Sequence, residues 1–208
     1  MIEEKVFTDQ ELKAMGERTL DLVLASIEVC DKETAKKLSQ RMYNEFSSMH
    51  DLYRDWLTDV LSFIGRRFGD EVLYDVMEET VHKGFSKLLA KRYSGKEPHR
   101  KLQILATGLR GHLQSLKIEE DREKYTIIVD PCPSGGFQIK AGFYDRSDGF
   151  LRIKKAQPMT FNRPEFPVYC AHCCFQNMVI DEISGEPLFI TEPGKNIGWD
   201  PCRVYIYK

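Results

Sequence analysis

Along the first half of the chain, apolar residues recur at steps of three and four, the spacing of helices that bury one face. Thr8-Asp9-Gln10-Glu11 has the form of a capping box, with a hydroxyl for the third-residue amide and a carboxylate reaching back, and it predicts a first helix from about residue 9 to Cys30. Asp31 restarts the chain as a cap. Leu38, Met42, Phe46, Met49, Tyr53, Trp56, Val60 and Phe63 then predict a long second helix. Arg66-Arg67 complement its C-terminal dipole and Gly69 stops it. Asp70 caps a third helix through Val72, Val76, Met77, Val81, Phe85, Leu88 and Leu89, which Ser94-Gly95-Lys96-Glu97-Pro98 breaks. Leu102, Ile104, Leu105, Leu109, Leu113 and Leu116 predict a fourth, running to about Lys117.

The period then changes. After the charged segment Lys117 to Lys124, Tyr125-Thr126-Ile127-Ile128-Val129 is a strand signal. Gly135-Gly136, Gly142, Ser147-Asp148-Gly149, Ser184-Gly185 and Gly194 punctuate further short strands at Phe137 to Ile139, Phe150 to Ile153, Pro187 to Ile190 and Val204 to Tyr207. All 9 prolines lie at or after Pro98, so the helical half is free of breakers and the tail is rich in them. The predicted fold class is α+β: an N-terminal four-helix unit over residues 1–120, packed on a small antiparallel β region over residues 121–208. Close packing of the two is expected because so short a β region makes a thin core.

Composition narrows the function classes. The 208 residues are 42% hydrophobic, enough for a core, and 30 basic against 32 acidic residues leave a net charge of −2. No general pull toward nucleic acid or an anionic membrane follows from such a balance. The start, Met1-Ile2-Glu3-Glu4-Lys5, lacks the basic and apolar regions of a secretory signal, and no run of about eighteen apolar residues occurs. A cytoplasmic protein with a small-molecule ligand, no nucleic-acid or membrane partner, and a homodimeric state is expected.

In a reducing compartment clustered cysteines point to metal ligation or reactive thiols. Tyr169-Cys170-Ala171-His172-Cys173-Cys174 holds three thiols and an imidazole in one short stretch, and Cys170 and Cys173 have the two-residue gap that lets both sulfurs face one ion. Asp130-Pro131-Cys132 and Asp200-Pro201-Cys202 flank it at a distance. Proline restricts the backbone beside each of these sulfurs, and Gly135-Gly136 free the turn after Cys132. Cys132, Cys170, Cys173 and Cys202 make an all-thiolate zinc set, with His172 the alternative to one of them; iron is the lesser alternative. Packing of thiols as small apolar groups is the competing explanation, and it is the expectation for Cys30 and Cys174.

The helices add histidines and carboxylates. His50-Asp51 and His112 are candidate proton carriers, a histidine oriented by a carboxylate being a serviceable base near neutral pH. Glu79-Thr80-Val81-His82 is a single Glu-x-x-His, where bundle metal sites use two. Arg146, Arg152 and Arg163 are the candidates to clamp a carboxylate. Phosphate-binding glycine loops, the dinucleotide fingerprint and the Gly-x-Ser-x-Gly elbow are absent.

The stretch from Lys101 through Glu119-Glu120-Asp121 and Tyr125 to Cys132, with the closing Asp200-Pro201-Cys202, resembles the bacterial L-2-amino-thiazoline-4-carboxylic acid hydrolase-like proteins. More remotely it resembles the 4-vinyl reductase small-molecule-binding domain. The resemblance implies a small-molecule pocket where helices meet sheet and carries over no catalytic residue. The expected activity is metal-assisted hydrolysis or a lytic step on a small carboxylated compound, with His50, Asp51 or His112 moving protons. A ligand-binding or sensory module with a structural zinc, and a thiol protein using Cys173 and Cys174, are the alternatives.

Overall fold

A computed structural model describes residues 6–112 and 116–208. The architecture is α+β, and the chain forms two compact units that meet in sequence at Leu52 and Tyr53. The shift in composition near residue 120 falls inside the second of these units.

The first unit contains α1 (Asp9–Gly16), α2 (Thr19–Glu28) and the beginning of α3 (Lys32–Met77). The capping box forms as expected: Glu11 N–H donates to the Thr8 hydroxyl at 3.2 Å, and Thr8 N–H donates to the Glu11 carboxylate at 2.8 Å. The single helix expected to Cys30 is, however, two helices. Gly16, a weak helix former, ends α1, Glu17 is extended, and Arg18 starts α2 with a two-armed bond to Asp21. Cys30 corrects a second expectation: it is exposed with φ of 59°, so it terminates the helix rather than packing. Asp31 caps α3 by accepting from Thr34 N–H at 3.0 Å, and the Thr19 hydroxyl donates to Glu45 at 2.7 Å. Among the described residues of this unit, Val23 is the one buried apolar side chain.

The second unit begins within α3. Gly69, with φ of 86°, leaves the helical region where a stop was expected, and the helix resumes to Met77. A π-helical turn, Glu78–His82, leads to α4 (Lys83–Tyr93), and α5 (Pro98–Arg110) follows the Ser94–Gly95 break. The fourth helix thus stops short of its expected end. Leu113 lies outside the described residues, and Lys117 opens a strand.

The sheet has the order β1 (Lys117–Glu120), β2 (Lys124–Val129), β6 (Cys202–Tyr207), β5 (Ile190–Glu192), all antiparallel. The charged segment is therefore a strand and its hairpin. α5 lays Leu105 and Ala106 into one core with Tyr93, Ile127, Val129, Phe189, Val204 and Ile206, which is why the composition shift separates layers of one unit. A second core joins Leu61, Leu73 and Met77 of α3 to Ile153, Val168, Ala171 and Phe175. That core is served by β3 (Arg152–Ile153), β4 (Phe166–Pro167), a 3-10 turn Val168–Ala171 and α7 (His172–Gln176). Phe137 to Ile139, expected as a strand, belongs to the short helix α6 (Gly135–Lys140).

Candidate thiol and imidazole site

Pairing of β2 with β6 does the long-range work at the site. Ile127 faces Val204 and Val129 faces Cys202, so Cys132, three residues beyond β2, returns to the start of β6. The loop after Cys132 is fastened by buried polar groups. Arg54, buried in α3, bonds Asp55 at 2.8 and 3.1 Å, donates to the Pro133 carbonyl at 3.2 Å and lies 4.5 Å over the Phe137 ring. Gln138, fully buried, donates to Asp55 at 2.9 Å and to Thr58 at 2.8 Å. These bonds satisfy groups whose burial would otherwise cost about 1–3 kcal/mol each, and they explain why a Gly-Gly segment becomes helix here.

Two glycines admit the thiols. A Cβ on Gly135 would collide with Cys170 Sγ, and one on Gly136 would lie 2.8 Å from Cys132 Cβ. The Tyr169–Cys174 stretch enters as the 3-10 turn followed by α7, with Cys170 buried and His172 and Cys173 partly so. Cys132 and Cys202 pack against the same apolar core, and Val129, three residues before Cys132, pairs with Cys202. Cys173 Sγ stands 3.5 Å from His172 Nε2, and the fields of Cys132 and Cys173 reach Cys170. The structure therefore sets Gly135 against Cys170, Gly136 against Cys132, the β2 end against Cys202, and Cys173 beside His172. No three His, Cys, Asp or Glu groups among the described residues stand in a metal-holding arrangement.

Electrostatics sorts the thiols. The Cys202 S–H and the backbone N–H groups of Gly136 and Ser134 hold the Cys132 thiol below its ordinary range, against the effect of burial. Cys202, which keeps the proton of that pair, is pushed up. Burial lifts Cys173 to about 12 and raises Cys170 well above the ordinary thiol value. Burial also lowers His172, favouring the neutral ring. Its Nδ1 faces the Tyr169 carbonyl at 2.5 Å. A carbonyl only accepts, so Nδ1 carries the proton and Nε2 presents a lone pair toward Cys173.

His112 sits at the other side of this cluster. Its Nδ1 is 3.3 Å from the Ser134 hydroxyl, and nearby Tyr169 is pushed up to about 12 by burial. The Tyr169 ring packs edge-on to His172 at 4.8 Å between centroids. His112 also lines a cavity of about 500 Å³ with Phe85, Arg92, Tyr93, Arg100 and Phe189, and Gln176 of α7 reaches the same wall. Ligand sites typically have such a volume and such a mixture of apolar wall and a few polar groups. Sequence reasoning found His112 but not Ser134, Arg54 or Gln138, whose roles depend on contacts across the fold.

The remaining candidates fall elsewhere. His50 and Asp51 belong to the first unit, where His50 Nδ1 lies 3.2 Å from Asp51. His82 pairs with Glu78 at 2.8 Å, while Glu79 goes to Lys83, so the Glu-x-x-His spacing is not the pairing adopted. Arg152 bonds Asp145 at 2.9 Å, Arg163 bonds the carbonyls of Pro193 and Gly194, and Arg146 lies over Phe143; all three have structural partners. Cys174 donates to the Pro158 carbonyl at 3.1 Å. Among the described residues no helix is long and apolar enough to cross a membrane. Compared with protein-family models, curated proteins and solved structures, the chain matches none.

Proposed function

We propose that the second unit is a metal-binding module, zinc being the first choice of ion, with a small-molecule cavity beside the metal. Cys132, Cys170, Cys173 and Cys202 supply thiolates, and His172 supplies Nε2 as the alternative fourth or additional donor. One observation carries the proposal: His172 commits Nδ1 to the Tyr169 carbonyl and turns the lone pair of Nε2 toward the Cys173 thiol. Metal-ligating histidines are oriented in this way, by a carbonyl or carboxylate on the second nitrogen. Ligation requires the sulfurs to turn to the ion and lose their protons, and Cys132, the thiol held below its ordinary range, is the first to ionise.

The activity we infer is metal-assisted hydrolysis, or a related lytic step, on a small carboxylated compound, in a cytoplasmic protein. Zinc supplies a polarised oxygen or an activated water when a coordination position stays open. Arg92 and Arg100 at the cavity offer charge for a carboxylate, and His112 is placed to move a proton at the cavity wall. His50 and Asp51 keep their candidacy as an oriented pair. A second reading, a thiol redox protein, is favoured by Cys132, which lies near Cys202 and whose thiol is held below its ordinary range by Cys202 and by the N–H groups of Gly136 and Ser134.

Cobalt titration separates these readings. Loading of the metal-free protein should give thiolate-to-cobalt charge-transfer absorption that saturates near one equivalent and weakens in Cys170→Ser and in His172→Ala. Absence of that absorption, with rapid alkylation of Cys132, would transfer the assignment to redox chemistry. In metal-loaded protein, His112→Gln should abolish turnover while leaving metal content unchanged; a ligand bound but never turned over would make the protein a binding module.

A further inference from the structure

The apolar stripe of α3 is more regular than helical burial requires. Met42, Phe46, Met49, Tyr53, Trp56, Val60 and Phe63 follow strictly alternating steps of four and three, a repeat of 3.5 residues rather than the 3.6 of a straight helix. All seven side chains are 38% to 62% exposed. A seam of this period is suited to meeting another helix, and its side chains keep much of their surface in solvent. With large side chains burying about 200 Å² each, the stripe leaves on the order of 700 Å² of apolar surface per chain, close to the roughly 800 Å² per partner of a stable interface.

We propose that the occupant is a second copy of this chain, its α3 lying antiparallel across the first and centred between residues 54 and 55. In that register the stripe is complementary to itself. Phe46 meets the partner's Phe63, Met49 the partner's Val60 and Tyr53 the partner's Trp56, and each contact recurs through the two-fold axis. Beside the seam, Glu45 comes opposite the partner's Arg66 at both ends, which joins opposite charges. A parallel pair would instead stack Trp56 and Phe46 on their own copies, and its seam could not continue past the non-helical Gly69. A membrane is a poor occupant, because acidic Glu45 and Asp59 flank the stripe where an interfacial helix carries lysine and arginine. The dimer is independent of the metal and cavity assignments.

Sedimentation equilibrium of the full chain, over about 1 to 100 µM so that mass action is visible, should give twice the 24.2 kDa of one chain. Trp56→Glu should weaken association by roughly 30-fold or more, as loss of a central aromatic anchor does. Circular dichroism should stay unchanged, because the side chain is exposed. Glu45→Arg and Arg66→Glu should each weaken the dimer, and the double exchange should restore it. Restoration is the specific readout, since Arg66 also bonds the Gly149 carbonyl and Glu45 also bonds Thr19 and Arg41. A monomer at every concentration, or a dimer indifferent to Trp56→Glu, would overturn the proposal. A dimer lost in Trp56→Glu but not rescued by the double exchange would overturn the antiparallel register.

Discussion

The two compact units use similar amphipathic helices to opposite ends. In the second, α3, α4 and α5 bury their apolar faces in two cores, and Leu73, Met77 and Phe175 are almost wholly removed from solvent. In the first, Leu20, Leu24, Ile27, Met42, Phe46 and Met49 remain exposed, and Val23 alone among the described apolar residues is buried. Periodicity specifies a helix and the direction of its apolar face; it does not say what that face meets. Buried polar groups differ as well. The first unit has short-range bonds and a tie from Thr19 to Glu45, whereas the second uses Arg54, Asp55, Thr58 and Gln138 to hold the loop that carries a thiol. A polar network that also satisfies a loop backbone belongs where geometry has to be kept, as at a binding site.

The sharpest way to break the comparison is to truncate one aromatic in each unit. Phe175→Ala empties a fully buried position and should destabilise the second unit by about 3–5 kcal/mol. Phe46→Ala, half exposed, should cost less than about 1 kcal/mol in dilute protein. Denaturant unfolding measures both, and equal costs would mean that the first unit owns a core. Next in size, Gly135→Ala drives a methyl group into Cys170 Sγ and should cost about 1–3 kcal/mol of overpacking. The same substitution at Gly16, where nothing lies within 4 Å, should be neutral or slightly stabilising. Arg54→Met takes the guanidinium donor from the Pro133 carbonyl and leaves Asp55 with Gln138, and should cost about 1–3 kcal/mol, with faster alkylation of Cys132 as the readout that separates loop positioning from bulk stability.

A smaller effect concerns pH. Asp181, buried and bonded to Lys101 at 2.6 Å and to the N–H groups of Gly95 and Ile183, is held down to about 2, the Lys101 bond being the largest cause. A carboxyl lowered on folding stabilises the protein above its unfolded value, near 3.8, and that contribution is lost as pH falls through the interval from about 4 to about 2. Asp181→Asn should therefore flatten the pH dependence of stability in that window and leave the slope above pH 5 as it was; an unchanged slope below pH 4 would remove Asp181 as its source.

Much of this organisation is legible in the residues. The capping box at Thr8, the stop at Gly69, the break at Ser94, and β2 are all where local chemistry put them. Asp130-Pro131-Cys132 and Asp200-Pro201-Cys202 read as matching outposts, and strand register explains why the first returns to the second. What could not be read is tertiary in origin. Phe137 to Ile139 has a strand-like composition, yet Gln138 is drawn into helix α6 by Asp55 and Thr58, far away in sequence. The split of the first helix turns on Gly16 and the Arg18–Asp21 bond, too local a feature for an apolar period to reveal. Arg54 looked like one more charged residue of a helix, and only the fold shows that it is buried against the Cys132 loop.

The central claim is that the gathered thiols and His172 hold a metal. Elemental analysis of protein purified without a metal-affinity tag tests it most directly, with Cys170→Ser as the paired sample. The account predicts about one zinc per chain in the parent and a marked loss in the variant. A parent protein that retains no metal and takes up none when zinc is supplied would contradict it.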